Sequence, residues 1–191
     1  MKTVYLIRHG ETLFNKQKKI QGFCDSPLTQ LGIKQAQIAG KHAADLNINF
    51  DDAYSSTSGR TSDTLELITN IPYKRVKGLR EWNFGDLEAE GEHLNPPLPY
   101  GDFFAQFGGE KESEFQKRIK TTIFNLVKES DGEHILIVSH GAAIAQFYRH
   151  WKSTSEVRRK GRIQNCSLLE YQFINNKFIL QDIIEHDFSK N

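Results

Sequence analysis

Two tripeptides of the same form stand far apart in the chain, Arg8-His9-Gly10 and Ser139-His140-Gly141. Each closes a short apolar run, TVYLI at 3–7 and HILIVS at 134–139. Charged and titratable side chains are rare at the end of a core strand unless something there needs them. Arg8 narrows the chemistry available to His9. A guanidinium is a permanent cation whose fork of donors fits phosphate or carboxylate, and it would repel a metal ion unless an anion intervened. Arg60, in SSTSGRTSDT, falls at the start of a helical segment, where anions are also favoured. Glu81, in LREWNFGD, supplies a carboxyl group after a further strand candidate. Together these residues suit an anionic substrate.

The elements that must position them follow from hydrophobic pattern. Residues 3–7 and 134–139 are continuous apolar runs, the pattern of strands covered on both faces. DDAYSS at 51–56 reads as a strand, and YKRVKGL at 73–79 as a weaker one. Ala36, Ala39, Ala43 and Leu46 form one stripe of a helix entered after Pro27 and Thr29. Residues 58–70 and 142–151 read as helices. Ser113 opens another, with Gln116 at the capping-box position, and its buried face is Phe115, Ile119, Ile123 and Leu126. CSLLEYQF and KFILQDII flank Asn175-Asn176, which predicts a terminal β-hairpin. Strands alternating with helices predict an α/β fold of three layers, α/β/α, with a mostly parallel central sheet and an antiparallel edge. In open α/β sheets ligands bind at the carboxyl edge of the strands, so His9 and His140 would face one pocket.

A chain of 191 residues suits a single domain, 1–191, with a substantial core. Residues 85–109 hold three of the five prolines and are too short for a domain, so they read as a lid or cap excursion. With 38% apolar and 26% charged residues, a disordered chain is excluded. The formal charge of +1 gives no reason to expect nucleic acid or a membrane surface. KQKK at 16–19 and RRKGR at 158–162 lack interleaved aromatics and read as solvated faces, with a milder role in gathering anionic substrates. No apolar run is long enough to span a bilayer. Cys24 and Cys166 form no CxxC pair, which favours a reducing compartment, the cytoplasm. Cys24 is expected to be buried rather than nucleophilic. His42, His93, His134, His150 and His186 read as structural, and Arg75 and Arg80 as solvated. The lid aromatics, Tyr100, Phe103, Phe104 and Phe107, are expected to pack the lid.

LIRHGETLFN resembles the signature of the histidine phosphatase superfamily, also called the phosphoglycerate mutase-like family. PLTQLGIKQA, YSSTSGRTSDT, LREWNFGDLE, VSHG and NCSLLEY resemble further segments of it, in family order through about residue 171. The resemblance implies His9 as nucleophile, Arg8, Arg60 and His140 as the phosphate pocket, and Glu81 as proton donor. It implies Asn15, Gln21 and Gly22 as further substrate contacts. It also implies a small phosphorylated substrate and neither metal nor other cofactor, the cations of the pocket supplying the field that phosphoryl transfer needs. Where the family often has Trp-Glu-Gly, this chain reads Leu87-Glu88-Ala89. Residues 85–109 contain no arginine, whereas mutases of the family use a longer segment with arginines that hold a second phosphate. A phosphomonoester hydrolase is therefore expected, with a 2,3-bisphosphoglycerate-dependent phosphoglycerate mutase as the alternative. An idle member that binds a phosphorylated ligand or protein is the reading from another class.

Overall fold

The computed structural model describes residues 1–186 and 188. Strand β1 is Lys2–Arg8, followed by the single-turn helix α1, Leu13–Lys16, and the long helix α2, Gln30–Asp45. Then come β2 (Asp52–Ser56), α3 (Gly59–Ile68) and β3 (Lys74–Val76). Helix α4 (Glu112–Glu129), β4 (His134–Ser139) and α5 (Gly141–Trp151) precede the hairpin of β5 (Leu168–Ile174) and β6 (Lys177–Ile184). The strands form one mixed sheet in the order β3-β2-β4-β1-β5-β6. Its first four members run parallel, and β5 is antiparallel to both β1 and β6. Asn175 and Asn176 turn the hairpin with φ of 50° and 60°, the left-handed values that asparagine tolerates. The sheet is thus mostly parallel with an antiparallel edge, as the sequence pattern predicts.

Alternation along β1 separates the two helical layers. Val4 and Leu6 share a core with Phe115, Ile119 and Ile123 of α4 and Ile144 and Phe147 of α5. Tyr5 and Ile7 face the other side, packing with Leu65 of α3, while Ala36 and Ala39 of α2 continue that layer. Four sequence expectations need correction here. Leu46 lies past the end of α2 and is 55% exposed, because the helix stops one residue before it. The buried face of α4 ends on Val127, with Leu126 rotated to its edge. Ser113 and Gln116 make no capping box, since α4 begins one residue earlier. The N–H of Glu112 instead donates to the Asp102 carboxylate (3.3 Å), and Gln116 reaches Gln146 (3.0 Å). Strand β3 is also shorter than YKRVKGL, giving way to a 3-10 turn at Lys77–Leu79. Among the described residues, no helix is long and apolar enough to cross a membrane.

The 85–109 excursion contains 3-10 turns at Gly85–Leu87, Glu92–Leu94 and Phe103–Phe107. Backbone hydrogen bonds tie it to the 18–20 stretch: Ala89 N to Ile20 O, Ile20 N to Glu90 O and Glu92 N to Lys18 O (all 2.8 Å). Phe104 is fully buried, its ring edge-on to Trp82 (5.8 Å), Phe84 (4.6 Å) and Tyr100 (5.3 Å). Burying such a ring stabilises by about 1.5–3 kcal/mol, so this end of the excursion is anchored by packing. Among Tyr100, Phe103, Phe104 and Phe107, Tyr100 is the one that also lines a cavity, which Trp82 and Phe84 line with it.

Ala89 holds a left-handed φ of 68°, costly for a residue with a Cβ. Ala89→Gly is expected to raise stability by about 0.5–1 kcal/mol once the extra freedom of unfolded glycine is subtracted. Thermal unfolding would show this as a melting midpoint about 2 °C higher. A lower midpoint would refute strain at this position.

Candidate active site

Register explains why the two tripeptides meet. In the parallel pairing of β1 with β4, Arg8 lies opposite Ser139, so His9 and His140 leave the sheet at the same height. Their rings stand edge-on, 5.4 Å between centroids. On the next strand Ser55 pairs with Val138, which brings the start of α3, and Arg60 with it, to the same edge. Ser56 pairs with Val76 of β3, and the turn after β3 delivers Glu81. Arg60, His140, His9 and Glu81 are all buried, at 1%, 0%, 4% and 6% exposure.

Each imidazole has its proton placed by its partner. His9 Nδ1 lies 2.8 Å from the carbonyl of Gly10, an acceptor only, so Nδ1 carries the hydrogen and Nε2 keeps a free lone pair. Burial, then the charges of Arg60 and Arg8, hold the His9 pKa well below the ordinary histidine range. His9 is therefore neutral. His140 Nδ1 lies 2.9 Å from an Arg60 amino group, a donor only, which leaves the hydrogen of neutral His140 on Nε2. Burial and the same cations lower the His140 pKa as well. Buried with no acceptor among the described residues are His140 Nε2 and the Nε atoms of Arg8 and Arg60. Such donors are suited to an anion.

The loop 22–25 fixes Arg60. Its amino groups donate to the carbonyls of Gly22 (2.9 Å) and Cys24 (3.0 Å) and to the Asp25 carboxylate (2.8 Å). Arg8 donates to the carbonyl of Ile163 (2.6 Å). Glu81 sits against the start of α5. Its Oε2 accepts from Ala142 N, and its Oε1 from Ala143 N and Trp82 N, each at 2.9 Å. Burial raises the Glu81 pKa, against the opposing pull of those amides and of Arg60 and Arg8. The net direction favours a protonated carboxyl group, as an acid catalyst requires.

Arg8, His9 and Glu81 border a cavity of about 500 Å³ that Asn15 and Gln21 also line, while Arg60 and His140 lie buried outside its lining. Asn15 and Gln21, which the resemblance implies as substrate contacts, both line this cavity. Part of their polar surface is committed, however. Asn15 Oδ1 accepts from Thr12 N (3.2 Å) and from Asn165 (3.2 Å), while Gln21 bridges Thr12 (2.6 Å) and Ser26 (3.1 Å). Gly22 does not line the cavity. It is needed because a Cβ there would sit 2.1 Å from the carbonyl of Trp82, and its own carbonyl holds Arg60. Cys24 is only partly buried, and burial with the neighbouring Glu88 pushes its thiol up to about 11, which removes any thiolate role.

Several contributors escape the sequence reading. Arg118 of α4 donates to the carbonyls of Gly78 (3.1 Å), Arg80 (2.7 Å) and Glu81 (3.0 Å) and pairs with Glu110 (2.6 Å), clamping the turn that presents Glu81. Asn165 donates to the carbonyl of His9 (2.9 Å). Glu88 accepts from the amides of Phe23 (2.7 Å), Phe84 (3.2 Å) and Cys24, ordering the loop that holds Arg60. NCSLLEY and LREWNFGDLE contain Asn165 and Glu88; nothing in the pattern of α4 singles out Arg118. Two expectations are corrected. Arg80 is not solvated but stacks on Phe23, 3.7 Å from the ring centroid. Lys19 and Arg159, from the stretches read as solvated faces, are half-buried and line the cavity with Arg149, whereas Arg162 lines it with a side chain 83% exposed, as a solvated face predicts.

Comparison with known proteins agrees with this geometry. The "Probable phosphoglycerate mutase GpmB" of Yersinia pestis is 33% identical over 187 residues, covering 90% of this chain and 86% of its own. The phosphoglycerate mutase of Bacillus anthracis superposes with a TM-score of 0.83 at 26% identity, over 94% of this chain and 91% of its own. The phosphoserine phosphatase of Entamoeba histolytica, solved in complex with 3-phosphoglyceric acid, superposes with a TM-score of 0.75 at 27% identity, over 98% and 99%. The profile of the histidine phosphatase superfamily, branch 1, matches residues 4–185, and with two arginines, two histidines and a carboxyl group gathered at one sheet edge, the chain belongs to that superfamily.

Proposed function

We propose that the chain is a phosphomonoester hydrolase that works through a phosphohistidine at His9 on a small phosphorylated metabolite. The observation that carries the reading is the neutral His9, its Nδ1 hydrogen engaged by Gly10 and its Nε2 lone pair free beside cationic donors. In the first step Nε2 forms a bond to phosphorus as the bond from phosphorus to the ester oxygen breaks. That oxygen leaves with the Glu81 proton. Arg8, Arg60 and the N–H of His140 match the charge that spreads over the equatorial oxygens, and the Gly10 carbonyl steadies the imidazolium that forms. Water then attacks phosphorus, gives its proton to the Glu81 carboxylate and releases inorganic phosphate with neutral His9. The positive field comes from the arginines, which is why no metal is invoked. We place the enzyme in the cytoplasm as one domain with 85–109 as its cap, a setting supported by two unpaired cysteines.

One observation favours mutase activity as the second reading. The 85–109 segment lacks arginine, but Arg149, Arg159 and Arg162 from other elements line the same cavity. A mutase must keep water from the phosphoenzyme while the group returns to another oxygen. The decisive quantity is the ratio of 2-phosphoglycerate to inorganic phosphate formed from 3-phosphoglycerate, with 2,3-bisphosphoglycerate present as primer. We expect a ratio well below one; a ratio well above one would replace hydrolase by mutase.

Two further outcomes test the roles. His9→Ala should abolish turnover, and rapid quench of the native enzyme should trap an adduct labile in acid and stable in base. An acid-stable adduct would remove His9 from the mechanism. For Glu81, kcat/KM on an alkyl phosphate should fall as pH rises through a pKa above the ordinary glutamate range, because the acid form is the active one. Glu81→Gln should abolish that limb and slow alkyl phosphates by about 100-fold or more, while an activated aryl phosphate is affected far less. Equal losses on both substrates would make Glu81 a binding group only.

A further inference from the structure

A second cavity, of about 460 Å³, lies between α4 and α5. Gln116, Lys117 and Lys120 line it from α4, and Gln146, Arg149 and His150 from α5. Gln146 and Arg149 also line the catalytic cavity, so the two share a wall. That wall is fixed. Gln146 is buried, accepts from Gln116 Nε2 (3.0 Å) and donates to the Glu112 carboxylate (2.8 Å). The charge around the groove is not balanced. Among the described residues no carboxylate lines it. Glu112, beside it, draws Arg149 at 3.4 Å. Lys117 and Lys120 have no carboxylate within ion-pair distance among the described residues, although Glu114 stands three positions before Lys117 on the same helix. Burial and the charge of Lys120 lower the pKa of His150, so its ring adds a polar group rather than a further charge.

A solvated helix face ordinarily interleaves both signs and pairs them at a spacing of three or four. Position explains Arg149 and His150, because cations are favoured in the last turn of a helix. No helix end explains Lys117 and Lys120, which lie in the second and third turns of α4. From Gln116 to Lys120 the helix rises only about 6 Å, so the cations crowd into the space of a small molecule rather than along a chain. We propose that this groove is a second anion site, separate from the catalytic floor, for a compact molecule bearing two or more linked phosphate groups. Lys117 and Lys120 would meet it as point charges and Arg149 with its fork of donors. Linked phosphates carry the several charges per short length that three neighbouring cations match, whereas a carboxylate carries one. The site does not depend on the hydrolase reading.

Inorganic tripolyphosphate is the probe, since it has the charge density without an organic body. It can also enter the catalytic cavity, so variants locate it. By titration calorimetry its affinity should fall about tenfold or more in Lys117→Gln/Lys120→Gln and return in Lys117→Arg/Lys120→Arg. Added salt should weaken binding to the native protein more than to the glutamine variant. Lys74→Gln/Lys177→Gln removes the same charge from the two edge strands and should leave the affinity unchanged. Each variant should melt within about 2 °C of the native protein; if the double glutamine variant melts lower, the two single variants carry the comparison. Equal affinity in the native protein and the folded Lys117→Gln/Lys120→Gln variant would confine the probe to the catalytic cavity and overturn the site. So would an equal loss in Lys74→Gln/Lys177→Gln, which would reduce the effect to net charge, or no binding at millimolar tripolyphosphate.

Discussion

A guanidinium sealed from water must spend its donors on the protein, and Arg60 shows what that obligation builds. Its amino groups take two carbonyls and a carboxylate from the loop 22–25, so a stretch without regular structure becomes fixed to the end of the sheet. The remaining bond goes to His140 and dictates which ring nitrogen keeps its hydrogen. The same charge depresses both histidines. Asp25, partly exposed, offsets only part of that charge. The floor of the cavity thus remains electropositive although its imidazoles are neutral, the combination a nitrogen nucleophile needs if it is to attack an anion.

Glu81 is held by the opposite logic. Three amides and two arginines favour its carboxylate, yet burial outweighs them. The start of α5 therefore acts less as an anion trap than as a fixed pair of donors that aims the group. Arg118 completes the arrangement from behind, pinning the backbone on either side of Arg80.

The strands and the floor of the site were legible because they rest on short-range signals. Continuous apolar runs mark β1 and β4, and Arg-His-Gly and Ser-His-Gly mark their ends. Long-range geometry was not legible. Arg118 looks like any polar residue of an amphipathic helix until α4 is laid against the 78–81 turn. Arg159 looks like one more member of a solvated basic stretch in sequence, and only in the folded chain, half-buried over Tyr148, does it line the cavity. The start of α4 was misjudged because its cap, Asp102, comes from the preceding excursion rather than from the helix's own first turn.

The order of strands in the sheet also sets a sequence of events in time. Strand β1 is made first but sits between β4 and β5, and its neighbours come from residues 134–139 and 168–174. Arg8 is held by Ile163, and the carbonyl of His9 by Asn165. The stretch that carries Arg8 and His9 leaves the ribosome early, yet the chain must be extended by most of its length before those two residues have their surroundings. Pairings this distant along the chain form late and slowly. An unfinished chain carries Arg8 and His9 without the partners that place them, so the signature at its start acquires its geometry only when the last strands pair.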